Sequence, residues 1–435
     1  MNKVKVVGAG LAGAEAAFYL AERGVKVLLY DIKPRAFTPA HKNADFGELV
    51  CSNSLKSNDV YGNAAGLLKE EMRILGSLTM RAADAAKVPA GGALAVNREK
   101  FAAYITEKIK NHPNIEIICR EITALPTEGY AVIATGPLTA GKLCEKIAAV
   151  SDELYFYDAS APIIAADSID MDKAFFGDRY GKGGGDYINC PMNKDEYSAF
   201  IAELLNAECA DLHEFEKTEV FEGCMPVEIM AARGKDTLRF GPLKPVGLDD
   251  PKTGRWAYAT LQLRKEDEFG AAYNMVGFQT SLKWSEQKRV FSMIPALKNA
   301  EFLRYGVMHR NTFINSPKTL NCDYSLKTRP KLFFAGQITG VEGYVESAGS
   351  GLLAAAYLER KLRGKREIFI SEDTVLGALA KYISTPNADF QPMNANFGIL
   401  PPCGAIRDKA AKKRFAAERS LAAVKKFKTE TEQGV

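Results

Sequence analysis

Long hydrophobic runs are missing from this chain. No stretch approaches about 18 uninterrupted apolar residues, so no membrane span is expected. Histidine is scarce, with four in 435 residues. The eight cysteines (Cys51, Cys119, Cys144, Cys190, Cys209, Cys224, Cys322 and Cys403) form no CxxC pair and no metal-ligand spacing with those histidines, so no metal is expected. A secretory signal is lacking as well, because Lys5 and Glu15 interrupt the apolar start Val4 to Leu20. The thiols are therefore expected to be reduced, in a cytoplasm. An excess of one charge is also absent: 57 Lys+Arg against 53 Asp+Glu leaves +4, too little to name a partner.

What is present is the mix of a soluble globular protein, 47% hydrophobic and 25% charged. The length predicts two or three domains, at roughly 150 residues each. Charge gathers only at the end, where residues 405–435 hold nine basic residues against four acids. That Ala-rich tail, 404–435, reads equally as a helix that grips phosphate or as a solvated helix with a frayed end.

The N-terminus carries the strongest local pattern. Lys3 to Val7 reads as a strand ending in Gly8-Ala9-Gly10-Leu11-Ala12-Gly13. A helix over 14–23 follows, closed by Gly24, and then a second strand over Val25–Tyr30 that ends at Asp31. This is the strand–GxGxxG–helix–strand–acid order of a dinucleotide site. Gly8 permits the tight turn, Gly10 lets backbone approach a pyrophosphate, and Gly13 lets helix pack closely on strand. The helix N-terminus faces the phosphates, and Asp31 is placed to accept hydrogen bonds from ribose hydroxyls.

FAD and NAD are not distinguished by that unit, but two later segments favour FAD. The strand pattern Tyr130–Ala134 is followed by Thr135-Gly136-Pro137, which resembles the second signature of two-dinucleotide flavoproteins. Residues 332–362 hold a strand, a Gly-rich loop with Gly336, Gln337, Gly343 and Tyr344, and a helix. They resemble the flavin-proximal motif of the same superfamily, where a helix dipole stabilises negative charge on the ring. The expected fold is α/β: a Rossmann-like FAD-binding domain of the two-dinucleotide type with an inserted α+β domain. The FAD-binding domain spans 1–150 and 326–403, the substrate and RNA domain 151–325. Within the insertion, 200–208 reads as a helix, and 257–264 and 273–280 as antiparallel strands. The run Gly181 to Gly185 follows no clear strand and reads as a loop.

Two cysteines lie in turn-like contexts where a thiol can be exposed and reactive: Cys51 in GELVCSNSLKSN and Cys224 in FEGCMPVE. The bland alternative for each is a buried structural thiol. His309 has Arg304 and Arg310 close by, either as a structural ring or as a flat surface and guanidinium presented to an aromatic or anionic substrate.

Eleven colinear blocks, among them GAGLAGAEAA, ELVCSNSLKSN, VPAGGALAV, FEGCMPVE, VGFQTSLKWSEQKRVF, YGVMHRNTFINSP and FFAGQITGVEGYVESA, resemble the folate- and FAD-dependent tRNA (uracil-5-)-methyltransferase family over nearly the whole chain. The resemblance implies methylation at C5 of a T-loop uridine (position 54) of tRNA. Carbon would come from 5,10-methylenetetrahydrofolate and reducing power from NAD(P)H through FAD. It implies Cys224 as nucleophile on uracil C6, Cys51 as a second thiol near the flavin, and Tyr344 against the flavin ring. His309 would face the pterin, and Arg310, Lys283 and Arg289 would serve folate or RNA. Two positions depart from the family pattern: Asp31 stands where many relatives have Glu, and Asn97 where they have Asp. Rival readings are the same chemistry on ribosomal RNA, or an RNA-independent flavin reductase.

Overall fold

The computed structural model describes residues 3–38, 40–151, 153–181, 183–210, 225–266, 269–388, 390–404 and 406–432, with backbone alone at 153–159 and 308–310. Its first layer is a six-stranded sheet in the order Ser325–Leu326, Arg329–Phe334, Ala131–Ile133, Val4–Val7, Val27–Asp31, Ile115–Cys119. All neighbours pair in parallel except the first two, which pair antiparallel. The chain leaves Val4–Val7 toward one side for Val27–Asp31, then returns on its other side with Ala131–Ile133. A crevice therefore opens beyond the carboxyl ends of these strands, the usual ligand site of such sheets.

The helix Leu11–Glu22 is buried on almost every side, and half of its residues are alanine or glycine. That composition lets it lie backbone to backbone with Tyr344–Leu362. A Cβ at Gly351 would sit 2.2 Å from the Ala12 carbonyl oxygen. The close crossing carries the start of the second helix to the glycine turn of the first. The helix begins three residues earlier than the pattern predicts, since Leu11 to Gly13 already form its first turn.

Between the ribbon strands Glu153–Ala159 and Met308–Ile314, paired antiparallel, lies a second sheet. It has six strands, in the order Phe175–Phe176, Tyr187–Met192, Ala259–Lys265, Ala272–Met275, Ile163–Ala165, Phe302–Arg304. Every pairing in it is antiparallel. The helix Lys194–Asn206 opens with a capping box, in which Asn193 and Glu196 satisfy each other's backbone amides. A core of its own, with Phe200, Leu261, Leu263, Phe278 and Phe291, fills this layer. Phe313, Ile314, Leu320 and Tyr324 belong instead to the core of the first layer.

Lys409–Glu432 forms one helix. Its buried residues are Ala416, Ala417, Ser420, Val424 and Phe427, and it packs on the helix Ala64–Ile74. Ser420 Oγ donates to the buried carboxylate of Glu71 (2.5 Å), which also accepts from the amides of Val375 (2.7 Å) and Leu376 (2.9 Å). Burial pushes the Glu71 carboxyl up to about 7. Several tail cations are engaged within the protein, including Arg419 with Asp373 and Arg414 with Glu418. No helix among the described residues is long and apolar enough to cross a membrane.

Candidate active site

A cavity of about 520 Å³ occupies the crevice beyond the parallel strands. Its walls include Gly8, Gly10, Leu11, Ala12, Asp31, Thr135, Gly136, Gly336, Gln337 and Tyr344. Ala9, Gly13 and Gly343 stand behind this wall and shape it. Gly8 has φ +97°, and a Cβ there would meet the Ala134 carbonyl oxygen at 2.5 Å. A Cβ on Gly13 would lie 1.8 Å from the Gly8 carbonyl oxygen, so only glycine lets helix and strand approach this closely. Gly10 differs: nothing lies within 4 Å of its Cβ position. It caps the helix with no side-chain hydrogen bond, leaving first-turn amides for a ligand.

Asp31 has two tasks. Its carboxylate accepts from the Ala9 amide (2.7 Å) and the Lys33 amide (2.8 Å), holding the glycine turn, and it also faces the cavity. The one-methylene difference from Glu thus still leaves a carboxylate on the cavity wall. Lys33, His41, Glu48 and Arg120 line the same end, and none of these was singled out from the sequence. They follow the strands as isolated loop residues with no motif to mark them. Burial lowers the pKa of both Lys33 and His41.

At the other end of the cavity, Tyr344 begins the helix Tyr344–Leu362, preceded by Gly343 at φ +117°. Tyr344 Oη accepts from the amides of Cys51 (2.8 Å) and Ser52 (3.2 Å) and lies 2.8 Å from Cys51 Sγ. A phenol oxygen has two lone pairs, and both amides use them, so the phenol proton points at the sulfur. Burial raises the Tyr344 pKa well above its usual value of 10, with the Cys51 charge a lesser cause. Tyr344 is thus held as a neutral donor.

Three arginines close on the segment that carries Cys51. Arg98 donates to the Leu49 carbonyl (3.3 Å) and pairs with Glu266 (2.9 Å). Arg304 donates to the Val50 carbonyl (2.7 Å). Arg264 donates to Ser52 Oγ and Asn53 Oδ1, both at 2.9 Å. The acceptors on Arg264 and Arg304 are neutral, and burial lowers the pKa of both. Glu266 and Cys51 both lie within the electrostatic reach of these two arginines, so their positive charge favours anionic sulfur or an anionic substrate group. Arg264 and Arg304 come from the inserted sheet, so the two layers meet at Cys51.

Asn97, the second departure from the family pattern, caps the helix Arg98–Lys110 by accepting from the Lys100 amide (3.0 Å). Asn and Asp serve this position equally well. His309 and Arg310 pair through their backbones with Asp158 and Tyr157 in the ribbon. Cys224 lies outside the described residues. The chain after it is anchored by the Val227 amide on the Gln279 carbonyl and by Glu228 on Thr280 and Ser281. Lys283 and Arg289 are not among the cavity walls. Lys283 pairs with Glu208 (2.8 Å), and Arg289 pairs with Glu286 (2.7 Å) and Glu203.

Crevice, uncapped helix start and glycine turn together fit a dinucleotide such as FAD. The family model described as Glucose inhibited division protein A matches residues 3–366. A protein of Acetivibrio thermocellus named Methylenetetrahydrofolate--tRNA-(uracil-5-)-methyltransferase is 57% identical over 431 residues, 98% of this chain and 99% of its own. One of the same name from Listeria monocytogenes is 57% identical over 433 residues, 99% of each chain. The GidA protein of Aquifex aeolicus, in two crystal forms, superposes with TM-scores of 0.72 and 0.73 at 16% identity. It covers 99% of this chain, which spans 73% and 76% of those structures, and so shows that the two share a fold. The chain belongs to the methylenetetrahydrofolate--tRNA-(uracil-5-)-methyltransferase family.

Proposed function

We propose that this protein methylates C5 of the T-loop uridine of tRNA, taking carbon from 5,10-methylenetetrahydrofolate and electrons from NAD(P)H. One observation carries the reading: Tyr344 lines the dinucleotide cavity and at the same time holds the thiol of Cys51. A thiol thus stands one hydrogen bond from the wall of that cavity. FAD, bound there, supplies the two electrons that convert a methylene to a methyl group.

The remaining steps belong to side chains and substrates. Uracil C5 is a weak nucleophile, and the thiolate of Cys224 activates it by adding to C6, so that the electron pair of the C5–C6 double bond moves toward the C4 carbonyl. C5 then attacks the methylene and one of that carbon's two bonds to folate nitrogen breaks, its electron pair staying on the nitrogen, which takes up a proton. Removal of the C5 proton then expels the second nitrogen in the same way and leaves an exocyclic methylene on C5. Cys51 takes the C5 proton, and its anionic form is stabilised by the Tyr344 hydroxyl and by Arg264 and Arg304. Expulsion of Cys224 restores the double bond once the methylene has been reduced. His309 and Arg310 serve the folate, and Gly8 to Gly13, Asp31, Thr135, Gly136, Gly336 and Gln337 hold FAD.

The test is turnover of the FAD-loaded protein with methylenetetrahydrofolate, NADH or NADPH, and an unmodified tRNA transcript, reading 5-methyluridine mapped to position. Product in the T-loop that disappears with Cys224→Ala supports the reading. Product on ribosomal RNA alone would move the substrate, and NAD(P)H oxidation with no methylated RNA would overturn it.

A further inference from the structure

The surface of the inserted layer beside Cys51 is aromatic. Phe302, Tyr305 and Trp284 form a ladder of parallel rings: Phe302 and Tyr305 stand 5.4 Å apart at 7°, Tyr305 and Trp284 5.6 Å apart at 13°. Ring pairs inside the core, such as Phe278–Phe291 at 69° and Tyr197–Tyr258 at 61°, meet at steep angles. Trp284 ends the ladder with 61% of its surface exposed. The neighbouring Leu303 is 54% exposed, so the ladder meets solvent along an open apolar strip.

The ladder is held rigidly. Gln287, one turn along the helix Trp284–Phe291 and fully buried, donates to the Gly306 carbonyl (2.9 Å) and accepts from the Gly306 amide (2.8 Å). Helix and turn thus move together. Gly306 has no room for a side chain, since a Cβ there would lie 2.5 Å from the Ser160 carbonyl oxygen. The turn is joined to the reactive segment as well. Arg304, next to Tyr305, holds the Val50 carbonyl one residue from Cys51.

We propose that the exposed indole of Trp284 is the stacking surface for an unstacked base of the RNA substrate, adjacent in the strand to the base being methylated. This rests on the RNA-methylation reading above. Chemistry on a base requires taking it out of its stack, which strips its neighbours of a stacking partner. A flat ring pre-stacked on two others replaces that partner without new ordering, whatever the base. Lys283 and Arg289, at the two ends of this helix, are already paired with acids of their own domain.

The chain has two tryptophans, so Trp256→Phe leaves Trp284 as the sole indole. In that FAD-loaded background, an unmodified tRNA transcript is expected to quench the Trp284 emission. Trp284→Ala is expected to weaken binding of the transcript by roughly 5- to 150-fold, as loss of one base–aromatic stack does, and Trp284→Phe to keep most of the affinity. A transcript that binds with unchanged emission and is unaffected by Trp284→Ala would overturn the inference and leave the RNA reading standing. Quenching by methylenetetrahydrofolate alone, with none from RNA, would also overturn it. No binding of tRNA or ribosomal RNA to the unaltered protein would show that the RNA reading itself had failed.

Discussion

Tyr344 Oη lies 2.8 Å from Cys51 Sγ, although 293 residues separate the two in the chain. The phenol also closes the Cys51 and Ser52 amides, so it orders the segment and directs a proton to the sulfur in one contact. Tyr344→Phe is expected to lower turnover by about 100-fold or more, as loss of one positioned proton donor does. In a Cys51→Ala background the same change should cost far less, because a group acting through the sulfur has nothing left to act on. Rates of 5-methyluridine formation in the four proteins check this.

Arg264 and Arg304 place positive charge beside Cys51, with Glu266 the carboxylate that both share. Arg264→Met should therefore slow alkylation of Cys51 by iodoacetamide at neutral pH by about tenfold, following the loss of thiolate stabilisation. FAD content should be unaffected, since Arg264 and Arg304 are not among the cavity walls. Mass spectrometry of the Cys51 peptide over time gives the rate.

Gly10 and Gly13 separate cofactor binding from folding. Gly13→Ala puts a methyl 1.8 Å from the Gly8 carbonyl oxygen and should lower thermal stability with or without FAD, by about 1–3 kcal/mol or more for an overpacked site. Gly10→Ala meets no protein atom within 4 Å, so the cofactor-free protein should melt as before. Its FAD affinity should still fall by tenfold or more, because the methyl occupies the path of the pyrophosphate. Differential scanning calorimetry and FAD titration distinguish the pair.

Glu71 links the C-terminal helix to pH. Burial lifts its carboxyl from the ordinary 4.5 to about 7 in the folded protein. The folded state then binds the proton more tightly than the unfolded chain. Stability from this group is full below the unfolded value and is lost as pH rises through about 7. The free energy of unfolding should fall between pH 5 and 8 with a slope of at most about 1.4 kcal/mol per pH unit, and the melting temperature should fall with it. Glu71→Gln should flatten that slope, which a melting series across the range will show.

Much of this architecture was legible in the residues themselves. The glycines at 8, 10 and 13 state a turn, an open approach and a close crossing, because each demand is local and excludes every other side chain. Asp31, Thr135-Gly136 and Gly336 could be read as strand ends for the same reason; alternation placed antiparallel strands at 257–264 and 273–280, where the structure has 259–265 and a second strand that stops at 275. Asn97 departs from the family pattern, and its role as a helix cap needs only the next three residues. Composition could not say whether Lys283 and Arg289 were free for phosphate, because the acids that neutralise them lie up to 86 residues away. Nor could it join Cys51 to Tyr344, Arg264 and Arg304, or align Phe302, Tyr305 and Trp284 into one ladder. Periodicity and turn chemistry act over a few residues, and so the sequence by itself determined the fold class and the cofactor cradle. The chemistry at Cys51 depends on which distant side chains the packed layers bring within 3 Å of one another, and only the tertiary structure decided that.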